Sequence, residues 1–170
     1  YDAKKVVIES FILANFNYCP LVWHFCSAES MKQMERIQER TFRFLIGDYD
    51  SDYDQLLTKL NKPTLEIWRL RLLATEIFKT LNNLNAAYMK EIFKLNTRRL
   101  ETGHDRLTVQ GQISKKYGSY TLRSLGPKIW NKLPSDLKNS DSLETFKSLI
   151  KTWSGPKCHC GSCTYLGTLC

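Results

Sequence analysis

Apolar residues recur at helical intervals along most of the chain. Val7, Phe11 and Ala14 predict a first helix over residues 1–16, ended by the Asn-Tyr-Cys-Pro run at 17–20. Leu21, Val22, Trp23 and Phe25 follow as an apolar run too short to assign to strand or helix, and are expected in the core. A second helix is predicted from Ser27 or Ser30 to about Ile46, with Met34, Ile37, Thr41 and Leu45 on one face and Gly47 as its exit. Leu56, Leu57 and Leu60 mark a short helix, and Pro63 suits the first turn of what should be the longest one. There Ile67, Leu70, Ala74, Ile77, Leu81 and Leu84 alternate steps of three and four, tracing a buried stripe that Trp68, Leu72 and Phe78 widen.

Between Asn96 and Ser124 the periodicity disappears, and Gly103, Gly111 and Gly118 punctuate a basic stretch that predicts loop with short strands. Order returns at 124–134, and Asp141 with Glu144 three residues on announces a last helix whose apolar face is Leu143, Phe146, Leu149 or Ile150, and Trp153. Gly155 and Pro156 should end the folded part. The expected fold is mainly α: an irregular helical bundle with a basic, loop-rich segment and a Cys-rich tail. The divisions are a helical region at 1–95, a basic region with a terminal helix at 96–154, and the tail at 155–170.

At 170 residues, 42% of them apolar, the chain is about one domain long and not a disordered tail. It opens at Tyr1 directly inside an apolar segment, so the expectation is a piece of a longer polypeptide with the remainder N-terminal. The apolar stretch from Val6 to Ala14 is broken by Glu9 and lacks a small-residue cleavage site, and no stretch approaches a membrane span. An intracellular product is expected, in which six cysteines do not imply disulfides.

Charge is uneven. Residues 1–97 hold 13 basic and 12 acidic side chains, whereas 98–170 hold 12 and 5, so the second part carries +7 of the net +8. A cationic surface attracts phosphate backbones by releasing counterions, which makes nucleic acid the first partner to consider. A lysine-coated soluble domain is the alternative. Lys32, Arg36, Arg40 and Arg43 on the second helix interleave with Glu29, Glu35 and Glu39, the pattern of a solvated surface held by i,i+4 pairs, with a nucleic-acid role for this face as the lesser reading.

The chemistry of catalysis is thin. Asp48, Asp50, Asp52 and Asp54 alternate through a polar run, which a turn followed by helix capping explains better than a two-metal site does. His24, between Trp23 and Phe25, reads as a satisfied core residue; His104 sits in a loop beside Asp105, with no serine or cysteine to complete a triad. No catalytic residue is assigned. In the tail, the two-residue interval between Cys160 and Cys163 lets both thiolates reach one zinc, and Cys158 or His159 with Cys170 completes four ligands. A reduced cysteine tail without metal is the other reading. Cys19 and Cys26 are expected to be small, buried apolar residues.

Several segments together resemble a known family. Glu76-Ile-Phe-Lys-Thr-Leu-Asn-Asn-Leu-Asn85 with Tyr88-Met-Lys-Glu-Ile-Phe93, then Ser124-Leu-Gly-Pro-Lys-Ile-Trp-Asn-Lys-Leu-Pro134 with Ser142-Leu-Glu-Thr-Phe-Lys147, are similar to the region beyond the polymerase core in non-LTR (LINE-like, jockey-type) retrotransposon reverse transcriptases. Asn17-Tyr-Cys-Pro-Leu-Val-Trp23 and Arg36-Ile-Gln-Glu-Arg40 resemble its upstream part. Two places depart from the pattern: Arg99-Leu100-Glu101 stands where relatives carry Asn-Leu-Arg, reversing one charge, and His159 and Gly161 replace the proline and arginine of a Cys-Pro-Cys-Arg-Leu-Cys tail.

The resemblance implies a fragment running from the thumb into the C-terminal region, without the catalytic Asp-Asp motif, and so no enzyme by itself. Its implied partners are template-primer RNA and DNA and the upstream domains of the parent polyprotein; its implied location is nuclear where the parent acts on chromosomal DNA. Arg98, Arg99, Arg106, Lys115, Lys116, Arg123 and Lys128 concentrate charge in the least regular segment and are the candidate phosphate contacts. Zinc at Cys158, Cys160, Cys163 and Cys170 is the one cofactor to consider. The competing function is a structural module whose apolar faces dock on the missing domains or another protein.

Overall fold

A computed structural model of the chain describes residues 2–18, 20–24, 26–95, 107–108 and 121–155. These residues are mainly α-helical, and the chain divides into two compact units, Tyr1–Arg69 and Leu70–Cys170.

The first unit opens with α1 (Asp2–Val7), a π-helical segment (Ile8–Leu13) and α2 (Ala14–Asn17). A π-helix closes its hydrogen bonds five residues apart and takes more residues per turn than an α-helix, so apolar positions chosen at α spacing lose register across it. Hence Ile8 and Phe16 are buried, while Val7, Phe11 and Ala14, the predicted stripe, are exposed. α3 (Pro20–Trp23) follows, with Val22 exposed rather than in the core and Trp23 half-buried. Phe25 lies outside the described residues.

α4 (Ala28–Ile46), at 19 residues, is the longest helix among the described residues, two longer than the helix after Pro63 that the sequence predicts to be the longest. Ser27 caps it, its Oγ accepting from the Ser30 N–H at 3.2 Å, and Gly47 ends it at φ +69°, where a side chain would be strained. Its buried line is Met31, Gln38, Thr41, Phe42 and Leu45, turned away from Ile37, which is exposed. Phe42 meets Leu56 and Leu57 of α5 (Tyr53–Leu60) in a core that Leu13, Ile46, Tyr53 and Leu60 surround. Between α4 and α5 the acidic run is a turn and a cap, as expected. The Asp48 carboxylate accepts from the Asp50 and Ser51 N–H groups at 3.2 and 3.0 Å and pairs with Lys59, which holds it well below the usual carboxylate range. Asp52 and Gln55 form a capping box.

α6 (Leu65–Leu81) begins two residues after Pro63, so the proline precedes its first turn. Its leading N–H groups all have acceptors. Glu35 of α4 takes those of Leu65 and Glu66, at 3.2 and 2.9 Å, and Thr64 Oγ1 takes that of Ile67 at 3.2 Å. The Tyr53 hydroxyl donates to the same carboxylate at 2.6 Å, and Gln38 reaches the Pro63 carbonyl at 3.4 Å. At the other end Asn83 turns to φ +62°, so the stripe stops at Leu81 and Leu84 is left exposed.

In the second unit Leu73, Ala74, Ile77 and Phe78 of α6 are buried. A 3₁₀ segment (Ala87–Ile92) leads to a two-residue antiparallel ladder between β1 (Lys94–Leu95), which lies just before the stretch where short strands were expected, and β2 (Leu107–Thr108), which lies within it. α7 (Leu122–Lys132), α8 (Ser135–Lys138) and α9 (Leu143–Ile150) complete it. Ser142, not Asp141, caps α9, its Oγ accepting from the Thr145 N–H at 3.1 Å. Phe146 stacks on Phe78 at 4.3 Å between ring centroids and lies 6.5 Å from Trp130. Gly126 brings α7 so close to Phe93 that an added Cβ would stand 2.6 Å from its ring. Beyond α9, Arg71 Nε donates to the Trp153 carbonyl at 2.8 Å and holds the segment just after α9 against α6.

Two substitutions probe these cores. Glu35→Ala leaves two backbone donors and a hydroxyl without their carboxylate and should cost about 2 kcal/mol in urea unfolding of the first unit. Gly126→Ala forces the Phe93 ring aside and should cost about 1–3 kcal/mol, read from the second unit's aromatic fluorescence.

Candidate nucleic-acid interface

Of the seven predicted phosphate contacts, Arg123 and Lys128 are described, both exposed on α7. Five residues apart on a helix of 3.6 residues per turn, they point about 140° from one another, so the helix does not bring them to one face. Lys132, one turn beyond Lys128 and half-buried, shares its side instead. Arg98, Arg99, Arg106, Lys115 and Lys116 lie outside the described residues, as do Cys19 and the proposed zinc ligands Cys158, His159, Cys160, Cys163 and Cys170. Among the described residues no group of three His, Cys, Asp or Glu side chains is placed to hold a metal.

The structure separates the charges of α4, which the sequence mixes. Its three acids each have a separate place. Glu35 caps α6, Glu39 is held by Arg43 at 2.8 Å, and Glu29 sits in the first turn, where the helix dipole favours an anion. Arg43 is committed further, its Nη1 donating to the Tyr49 carbonyl at 2.7 Å. Lys32, Arg36 and Arg40 remain exposed, and among the described residues none of them forms an ion pair. The expected i,i+4 pairing of this face therefore reduces to Arg43 with Glu39. One turn beyond Arg40 is Phe44, 53% exposed, with the Lys4 ammonium 5.3 Å from its ring centroid.

A second cluster is buried. Arg69, 2% exposed, lays its guanidinium 4.8 Å over the Trp23 ring, and its Nε and Nη1 find no acceptor among the described residues. Burial pulls its pKa below the ordinary value, against the opposing pull of Glu35, Cys26 and Glu66. His24, 1% exposed, is a core histidine as expected, its pKa lowered to about 4 by burial and by Arg69. Cys26 is half-buried rather than buried, and burial raises its thiol pKa, so it stays protonated and weakly nucleophilic. The sequence reading missed Arg69. Its signal was its place one turn before Leu73 and two before Ile77, the most buried line of α6.

A cleft of about 160 Å³ in the first unit is walled by Leu13, Phe16, Phe42, Leu65 and Trp68 with Asn17, Gln38 and Lys62 as polar members. It contains no carboxylate, histidine or thiol, so its walls offer no acid–base or nucleophilic pair.

The chain matches no family model, and no curated protein or solved structure is similar to it.

Because the folded-state pKa of His24 lies below its unfolded value near 6.5, the unfolded chain takes up the proton first. Stability present above pH 6.5 should fall as pH drops toward 4, by on the order of 3 kcal/mol from this residue. Urea midpoints across that range test it, and His24→Gln should flatten the slope.

Proposed function

We propose that the chain is the non-catalytic C-terminal part of a non-LTR retrotransposon reverse transcriptase, holding template-primer RNA and DNA through the phosphate backbone. Supporting the reading is the place of the family-like segments in the fold. Four stretches separated in sequence contribute to one packed core: Ile77 and Phe78, Phe93, Gly126 and Trp130, and Phe146. Short motifs such as Leu-Pro or Phe-Lys occur by chance in any sequence. Here their aromatic residues pack within one unit, Phe146 on Phe78 and beside Trp130, and Phe93 against Gly126. In this reading the motifs build the scaffold, and contacts to nucleic acid fall to the cations between and beside them.

In this reading Arg98, Arg99, Arg106, Lys115, Lys116, Arg123 and Lys128 meet phosphates and not bases, so binding is largely independent of sequence. The parent enzyme's catalytic carboxylates belong to upstream domains. Zinc at Cys158, Cys160, Cys163 and Cys170 would add a small knuckle for single strands.

One observation favours a second role, docking on those upstream domains or another protein. Phe11, Tyr18 and Val22 are each more than 70% exposed, and Val7 more than half. So much apolar surface within one short stretch is the kind a neighbouring domain covers.

Binding of the purified chain to a labelled RNA–DNA hybrid across a salt series separates the two. The proposal expects a steep dependence on salt. Changing Arg98, Arg99, Lys115 and Lys116 to alanine should flatten it by about one unit of slope for each cation that had neutralised a phosphate. Absence of binding at low salt would leave docking as the role.

A further inference from the structure

We infer that the outer face of α4 is a binding site for single-stranded nucleic acid, with Lys32, Arg36 and Arg40 on successive phosphates and Phe44 stacking an unpaired base. The inference rests on the nucleic-acid reading above but assigns a surface that reading does not use.

The geometry comes from one spacing. Lys32, Arg36, Arg40 and Phe44 follow each other at four-residue steps, all exposed. Each step rises about 6 Å and turns about 40°, so the row climbs roughly 18 Å and winds about 120° around the helix. It holds three cations free of ion pairs among the described residues, then an exposed aromatic ring with a further cation, Lys4, over it. The acids that could neutralise the row face elsewhere or are already paired, apart from Glu29 at its N-terminal end. A positive row of this kind is complementary to a polyanion.

The ring decides which polyanion. Phosphate contacts alone suit any nucleic acid, but Phe44, 53% exposed with Lys4 beside its ring, gains from stacking, and an unpaired base offers a face without the unstacking a duplex step requires. A single strand also has the flexibility to follow a row that winds about 120° around the helix.

The test uses the whole chain and two probes, a short fluorescein-labelled oligothymidylate and a hairpin duplex, titrated between about 50 and 200 mM salt. Lys32→Gln, Arg36→Gln and Arg40→Gln together should lower the salt slope for the single strand by about 2 units, whereas Arg36→Lys with Arg40→Lys should keep it. Phe44→Leu should weaken single-strand binding about tenfold with the slope unchanged, and Phe44→Trp should preserve it. Equal losses on the duplex, or no effect of Phe44→Leu, would overturn the single-strand assignment. If the glutamine variant binds normally while the Arg98, Arg99, Lys115 and Lys116 variant does not, the α4 site is wrong and the broader function stands; if neither changes binding, both fail. Circular dichroism of each variant shows that the helices are intact, as substitution of exposed side chains predicts.

Discussion

The carboxylate of Glu35 organises the first unit. It leaves α4, accepts the first two N–H groups of α6 and is braced by the Tyr53 hydroxyl from α5, so three helices are fixed through one side chain. An anion at a helix N-terminus gains from the dipole as well as from the hydrogen bonds. Had Glu35 stayed on the outer face, it would have stood one residue from Arg36 and four from Glu39. By turning inward it joins three helices and leaves the neighbouring cations without their nearest counter-charge.

Much of the helical order was legible in the sequence. The Ser27 cap, the Gly47 exit, the short leucine helix and the stripe of α6 followed from periodicity and capping chemistry, which act within a few residues. Errors arose where a local rule met a longer-range constraint. The π-helical segment shifted the buried face from Val7 and Phe11 to Ile8 and Phe16, and Asn83 cut the stripe before Leu84. Pro63 and Asp141 sit near helix starts, but Thr64 and Ser142 supply the capping oxygens.

The candidate interface was less legible, because charge in a sequence does not tell which ions are committed. Reading α4 as a run of i,i+4 pairs was reasonable from spacing, and only the partners of Glu35 and Glu39 show that three of its four cations are unneutralised among the described residues. Arg69 shows the converse. It counts toward a basic composition, yet it is shut inside over Trp23 and adds little to the field outside. Net charge is therefore a poor measure of how strongly a given face attracts phosphate.

The aromatic core of the second unit bears on how such a sequence diverges. Phe146 touches residues from two other segments, and Gly126 is tight against a third, so an altered volume at one of these places must be answered at another. Surface cations are under no such mutual restraint and change one at a time. Divergent versions of this sequence should therefore keep these scattered aromatic residues together or lose them together, while their charge drifts gradually. What stays recognisable through such drift is the packing.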